Sequence, residues 1–332
     1  MNSSRPAGPH RTRGVSFVVT LAAALCLSNS AGAQVYSTGP VKIVVPFPGG
    51  GPLDFVSRLL ADRLAITLKQ PFVVENRPGA AGNIGTEAVA RAAPNGQTLL
   101  VVLDTPLTVN PWLYKKLAFD PERDFIPISI AAGFYQMLVV HPSVPAISLQ
   151  QFVEYARRQP ITYGSGGASG SPGHLTMEYL RQQTGFDAVH VPYRGNAQVV
   201  TDLIGGQVQS GFVATPGVVQ HVKDHKLRGL AVSGTRRSSI APDVPTVAES
   251  GYPGFDVAFF IVMLAPTGTP QPLRAILEKE VRQALAPAEI QARLRAQDLE
   301  PIASTGEEAS ARLKGTAARW RELIKAANIQ PE

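Results

Sequence analysis

The stretch from Val41 to Leu68 constrains this chain most. It opens Val41-Lys42-Ile43-Val44-Val45, a β-branched run that reads as a buried strand. Pro46-Phe47-Pro48-Gly49-Gly50-Gly51-Pro52-Leu53 follows, stiffened by its prolines and loosened by its glycines. Asp54 is placed to cap a helix in which Val56, Leu59, Leu60, Leu64 and Leu68 recur at helical spacing. A strand that feeds a glycine corner and then a helix start leaves backbone N–H groups facing one point. That point carries partial positive potential and suits an anion.

The alternation continues. Strands are expected at Phe72–Asn76, Leu99–Leu103, Phe134–Val140, Ile161–Tyr163, Val189–Val191, Val208–Val213, Arg228–Val232 and Phe255–Leu264. Helices are expected between them, and the C-terminal part is helical at Pro272–Leu285, Ile290–Leu294 and Glu307–Ala327. Pro121 and Pro127 mark an irregular connection. Strand and helix alternate at roughly 20–30 residue spacing, which implies mostly parallel sheets with crossover helices.

The first 33 residues read as a cleavable signal peptide. Arg5, Arg11 and Arg13 form a basic start, and Val15–Leu27 is apolar but short for a bilayer span. Ala31-Gly32-Ala33 is a small-x-small cleavage site, so the mature chain is expected to start at Gln34. An exported chain with an oxidising destination is expected. Cys26 is the only cysteine and leaves with the signal, so no disulfide is needed. Setting those arginines aside lowers Lys+Arg from 31 to 28 against 25 Asp+Glu. With no basic run interleaved with aromatics, nucleic acid is not an expected partner.

The residues argue against catalysis. Ser165, Ser169 and Ser171 sit where a nucleophile elbow would lie, but no G-x-S-x-G is present there. His221 and His225 lack the pattern of a metal site. Gly164–Gly170 is only a loose dinucleotide-type turn, with no acid ending the next strand. Neither metal nor cofactor is expected. Binding fits better. Corners rich in Gly, Ser, Thr or Pro follow strands at Phe47–Gly51, Asp104–Thr108, Ser165–Gly173, Arg194–Asn196 and Ala214–Pro216. In open α/β sheets such corners sit at the carboxyl ends of the strands, where ligands bind.

Several motifs carry a resemblance. Val44-Val45-Pro46-Phe47-Pro48-Gly49-Gly50 with Asp54 is one, and Val73-Val74-Glu75-Asn76-Arg77-Pro78-Gly79-Ala80-Ala81-Gly82-Asn83-Ile84-Gly85 is the most specific. Pro94–Leu100, Asn110–Tyr114, Asp120-Pro121 with Asp124-Phe125, His190–Gly195 with Asp202-Leu203, and Ala265–Pro270 add to them. Together they resemble the tripartite tricarboxylate transporter receptors, the Bug-type periplasmic solute-binding proteins, over essentially the whole mature chain.

The resemblance implies a two-domain periplasmic binding protein of type II, α/β in each domain, with a ligand cleft between the domains. It implies capture of a small organic acid and, for some members, delivery to a membrane permease. Carried onto this chain, ligand-binding residues would be Phe47, Pro48, Gly49 and Gly50 from one domain, and Ser165, Gly166, Gly167 and Ser169 from the other. Thr105, Tyr193, Gly195, Ala214, Thr215 and Phe260 would line the cleft. The sequence departs from the family where Gly49 replaces a proline, where Pro52 and Leu53 precede Asp54, and where Gln198, Gln209 and Val213 stand. Phe260 and Val262 occupy positions expected as Trp and Gly, which suggests a carboxylate ligand with an apolar or aromatic body.

The expected architecture is domain 1 from residues 34–140 plus 255–332, and domain 2 from 141–254, hinged where the chain crosses between them. A monomer is expected, with a permease of the tripartite type or a sensor protein as partner. The alternative is a secreted α/β hydrolase acting on a small ester or amide.

Overall fold

In a computed structural model of the protein, residues 1–4, 36, 39–167 and 169–330 are described. The expected signal peptide and its cleavage site lie outside them, apart from residues 1–4. Contacts divide the chain into two compact units, Met1–Tyr36 and Ser37–Glu332, and the second holds both sheets.

The first sheet has the order β11-β4-β10-β3-β1-β2. Its strands are β1 (Val41–Val45), β2 (Phe72–Asn76), β3 (Thr98–Leu103), β4 (Phe125–Phe134), β10 (Phe259–Pro266) and β11 (Glu300–Pro301). β1 runs parallel to β2 and β3, whereas β10 runs antiparallel to β3 and β4. The second sheet has the order β7-β6-β8-β5-β9, with β5 (Gln136–Val140), β6 (Ile161–Gly166), β7 (Ala188–Tyr193), β8 (Ser210–Ala214) and β9 (Arg228–Val232). β6 is parallel to β7 and β8, and β5 is antiparallel to β8 and β9.

The sheets are therefore mixed rather than mostly parallel. Apart from the two-residue β11, which runs antiparallel to β4, the antiparallel members are β5 and β10, the strands on which the chain arrives after crossing between lobes. A crossing strand enters from the other lobe instead of from a covering helix, so it is not held to the parallel direction.

The stretch Phe134–Val140, expected as one strand, is divided at Tyr135. Phe134 pairs with Phe259 in the first sheet, and Gln136 pairs with Ala214 in the second. Sheet membership thus changes at Tyr135, ahead of the expected boundary at 140. Pro127, read as part of an irregular connection, lies within β4. There the pairing with β10 shifts register between Met263 and Leu264, an irregularity that accommodates a residue with no N–H.

The helices cover both sheets. They are α1 (Pro52–Leu68), α2 (Asn83–Ala90), α3 (Thr105–Thr108), α4 (Asn110–Leu113), α5 (Leu149–Arg158), α6 (Pro172–Thr184), α7 (Asn196–Ile204), α8 (Thr215–Lys223), α9 (Gln271–Leu285), α10 (Ala288–Arg295) and α11 (Gly306–Ala326). The first lobe buries Val44, Leu100, Val102, Phe260 and Val262 under Ala309 and Leu313 of α11. Farther along α11, Trp320, Leu323 and Ile324 join the second lobe's core with Phe152, Tyr163 and Phe212. Trp320 stacks on Phe259, ring centroids 5.7 Å apart, immediately after the return crossing. One helix is thereby anchored by apolar burial in both lobes.

Candidate functional site

The first corner is organised by Asp54. The helix begins at Pro52 with Gly51 as its N-cap residue, so Asp54 sits in the first turn and is not the cap. Its carboxylate turns back instead, accepting the Gly50 N–H at 3.0 Å, Asn76 Nδ2 at 3.0 Å and Arg58 Nε at 2.9 Å. Asn76 also donates to the Phe47 carbonyl at 3.1 Å. Burial alone would push the Asp54 carboxyl up, but Arg58, Gly50 and Asn76 outweigh it and hold it below the usual range. The Gly50 N–H, expected to face a ligand, is consumed by this network. The predicted anion donors of this corner are thus reduced to the remaining amides around Gly49 and Gly51 and the start of α1.

Asp54→Ala is expected to unfasten this corner and to lower stability by about 1–3 kcal/mol, since it strands several donors at once. Urea unfolding monitored by circular dichroism checks the magnitude. A midpoint equal to the parent's would show that the network holds nothing.

Two further corners of the first lobe close on the first. A Cβ added at Gly82 would lie 2.9 Å from Pro106 and 3.1 Å from the Phe47 ring, and one at Gly85 would lie 2.7 Å from Pro46. Gly82 has φ +90°, so only glycine fits both the backbone and the space. Asn110 Nδ2 donates to the Ala81 carbonyl at 3.2 Å and to Asn83 Oδ1 at 2.6 Å. Phe47 and Thr105 therefore belong to one cluster of corners at the carboxyl ends of β1 and β3.

The second lobe builds its own cluster. Gly167 donates its N–H to the Tyr193 carbonyl at 2.7 Å, and a Cβ on Gly166 would lie 2.6 Å from the Asn196 nitrogen. Ser165, Gly166, Gly167, Tyr193 and Gly195 are thus brought together. Ser169 lies on the same turn. The Gly167 N–H, like that of Gly50, is already engaged. The Tyr193 hydroxyl donates to Asp202 Oδ2 at 2.7 Å; burial and this partner push the phenol up to about 12.

The two clusters meet at Gly170. Its Cα lies so close to Val109 and Leu113, which follow the β3 corner and are buried in the same core as Tyr163 and Phe212, that a Cβ would stand 2.9 Å from the Val109 side chain. The corner after β6 therefore rests on the segment that follows the β3 corner.

Ala214, Thr215 and Phe260 have other surroundings. Ala214 pairs with Gln136 beside the crossing. Thr215 is fully buried against Asp298, whose Oδ1 accepts from Ser238 Oγ at 2.7 Å. Arg236 and Glu300 form a 2.7 Å ion pair in the same region. Phe260 is 5% exposed, packs in the first lobe's core and carries Arg312 5.2 Å over its ring. Val262 is also in that core. The large side chains at 260 and 262 thus fill the interior, which removes the ground for an apolar ligand body at these positions.

Sequence reasoning missed three features. Asp104, at the end of β3, is fully buried: its Oδ1 accepts the Phe260 N–H at 3.1 Å while Oδ2 has no protein partner. Burial raises its pKa to about 7. Behind the second corner, His174 and His190 stack with ring centroids 4.1 Å apart. A groove of about 960 Å³ also lies on the outer face of the first lobe, lined by Arg274, Glu278, Lys279, Arg282, Gly306 and Ser310 among others. None of the expected ligand residues borders it. Only the apolar-run signal of Leu99–Leu103 ending in Asp hinted at Asp104; residues far apart in sequence make up the other two.

Residues 56–329 match the sequence model of the tripartite tricarboxylate transporter family receptor. The chain belongs to that family. Among solved structures, it is similar to R. palustris Rpa4515 with adipate, at TM-score 0.81 and 33% identity, covering 89% of this chain and 99% of that one. The periplasmic binding protein BugD matches at TM-score 0.78 and 33% identity, covering 90% and 100%. MatC from Rhodopseudomonas palustris, solved with bound malate, matches at TM-score 0.75 and 29% identity, covering 86% and 99%. The fold of this receptor is accordingly that of the type II periplasmic binding proteins, with two α/β lobes as the motifs implied.

Proposed function

We propose that this receptor captures a small carboxylate between the corners of its two lobes, in the periplasm, for uptake or sensing. The observation that carries the reading is the contact of the Gly170 corner with Val109 and Leu113, which sets the segment after the β3 corner of the first sheet beside the corner after β6 of the second. Two similar receptors were solved with adipate and with malate, both acids of the class proposed. The amides of Gly49, Gly51 and Gly166, with the Thr105 and Ser169 hydroxyls, are the donors assigned to the ligand. Backbone donors at helix starts hold a carboxylate without a fixed cationic side chain.

Export through the signal peptide, action as a monomer, and docking on a tripartite permease or a sensor complete the proposal. Calorimetric titration with adipate, malate, citrate, benzoate and the uncharged diamide of adipic acid tests it. Saturable binding of at least one acid and none of the diamide is expected. Binding of no acid, or of the diamide equally, would overturn it.

The hydrolase reading gains one observation, the 2.7 Å contact of Ser165 Oγ with His190 Nε2. Ser165 is fully buried, however, and Ser171 Oγ already donates to it at 3.1 Å. A fluorophosphonate probe is therefore expected to leave Ser165, Ser169 and Ser171 unlabelled.

A further inference from the structure

The second corner stands on a buried stack of rings. His174, in the first turn of α6, lies parallel to His190 of β7, 3° between planes. Tyr163 of β6 continues the stack at 5.0 Å from His190. His174 Nδ1 accepts the Gly170 N–H at 3.0 Å, so that nitrogen carries no proton. Ser171 Oγ donates to Ser165 Oγ at 3.1 Å, and Ser165 Oγ lies 2.7 Å from His190 Nε2. His174 is thus an acceptor at Nδ1 and neutral. Gly170 itself, at φ +84°, is wedged against Val109 and Leu113.

We propose that His174 is a positioning residue for ligand capture: its unprotonated Nδ1 pins the 167–171 corner, and protonation of the stacked pair unpins it, so the receptor gives up its acid as pH falls. The inference rests on the reading that a carboxylate binds at this corner.

The charged surroundings agree with this direction. From α6, Glu178 Oε1 stands 4.0 Å from His174 Nε2, but Arg181 holds that carboxylate at 2.8 and 2.9 Å and Tyr163 Oη donates to it at 2.6 Å. Arg181 also lies 4.0 Å from Asp187. From β7 comes His190, whose own protonation would place two cations face to face. The α3–α4 segment places Val109 and Leu113 nearest to Gly170. Burial first, then His190 and Arg181, push His174 down to about 3, and burial lowers His190 as well.

With the corner released, each ring recovers an ordinary pKa of about 6.5. The pinned corner is therefore fully favoured above that value. Below it, release gains about tenfold per pH unit for each ring that protonates, down to the depressed pKa.

The test combines amide exchange with binding. In ligand-free protein, exchange at Gly170, corrected for its intrinsic rate, is expected to accelerate at least tenfold more than core amides between about pH 7.5 and pH 5. Adipate and malate affinities are measured over the same range in the parent and in His174→Gln, whose amide oxygen keeps an acceptor but does not titrate. The variant is expected to bind within about threefold of the parent at pH 7.5 and to show only the ligand's own titration below it, whereas the parent falls about tenfold further by pH 5. Parallel profiles for parent and variant would overturn the proposal, as would pH-indifferent exchange at Gly170. If neither acid binds at pH 7.5, the functional reading fails while the exchange arm still decides the pin. If the variant does not fold, nitrogen chemical shifts of the parent's His174 serve: an imidazolium at about pH 5.5 with Gly170 still protected contradicts the pin.

Discussion

Asp104→Asn is expected to raise thermal stability at pH 8 and to change it little at pH 5. The folded chain keeps the Asp104 proton up to about pH 7, whereas an unfolded aspartate loses it near 3.8. Between those values the folded state binds more protons than the unfolded one, so stability falls as pH rises and levels off above about 7. A shift of this size corresponds to at most about 4 kcal/mol. Asparagine removes the charge and keeps an oxygen for the Phe260 N–H, but its amide hydrogens inherit the unpartnered side of Oδ2. A net gain of about 1–3 kcal/mol at pH 8 remains, shrinking toward zero or reversing at pH 5. Thermal unfolding at both pH values checks it. Equal effects at the two would mean that Asp104 is ionised throughout.

Gly166→Ala is expected to cost the most in ligand capture. Its Cβ would stand 2.6 Å from the nitrogen and 2.8 Å from the Cα of Asn196, backbone atoms at the start of α7 that cannot rotate away. The β6 corner and α7 must separate, which misplaces the assigned donors on one lobe. Overpacking of this kind costs about 1–3 kcal/mol, and a tenfold to roughly hundredfold loss of carboxylate affinity follows if the cost falls on the closed form. Gly315→Ala is the control, because nothing lies within 4 Å of its added Cβ and it sits inside α11, outside the assigned site. Circular dichroism and calorimetry on both variants separate a broken corner from a broken fold. Unchanged affinity in Gly166→Ala would remove this corner from the site.

Much of the architecture was legible because its signals are local. The β-branched run of β1, the glycine corner and the apolar spacing of α1 each dictate structure within a few residues. The Glu75–Gly85 stretch is distinctive because its residues meet specific neighbours: Asn76 ties down Phe47 and Asp54, and Gly82 and Gly85 admit Pro106, Phe47 and Pro46. The strand β4 was hidden by Pro127, which a register shift absorbs. The division at Tyr135 left no trace, because Phe134–Val140 contains no glycine or proline to mark a break, yet its halves join different sheets.

The candidate site was legible as a set of corners but not in its bookkeeping of donors. Which N–H is spent, as at Gly50 and Gly167, depends on partners brought up by the fold. The resemblance puts Phe260 in the cleft, at a position expected as Trp. Strand alternation turns its side chain instead to the face that α11 covers, where Arg312 and Leu313 enclose it.

The central claim is that both lobes grip the acid through their strand-end corners. Backbone amide chemical shifts of isotope-labelled protein during titration with adipate and malate test it most directly. Saturable shifts clustered at residues 47–53 together with 165–171 and 193–196 are predicted. Saturable shifts confined to one lobe, or centred on the outer groove around Arg274, Lys279 and Arg282, would contradict it.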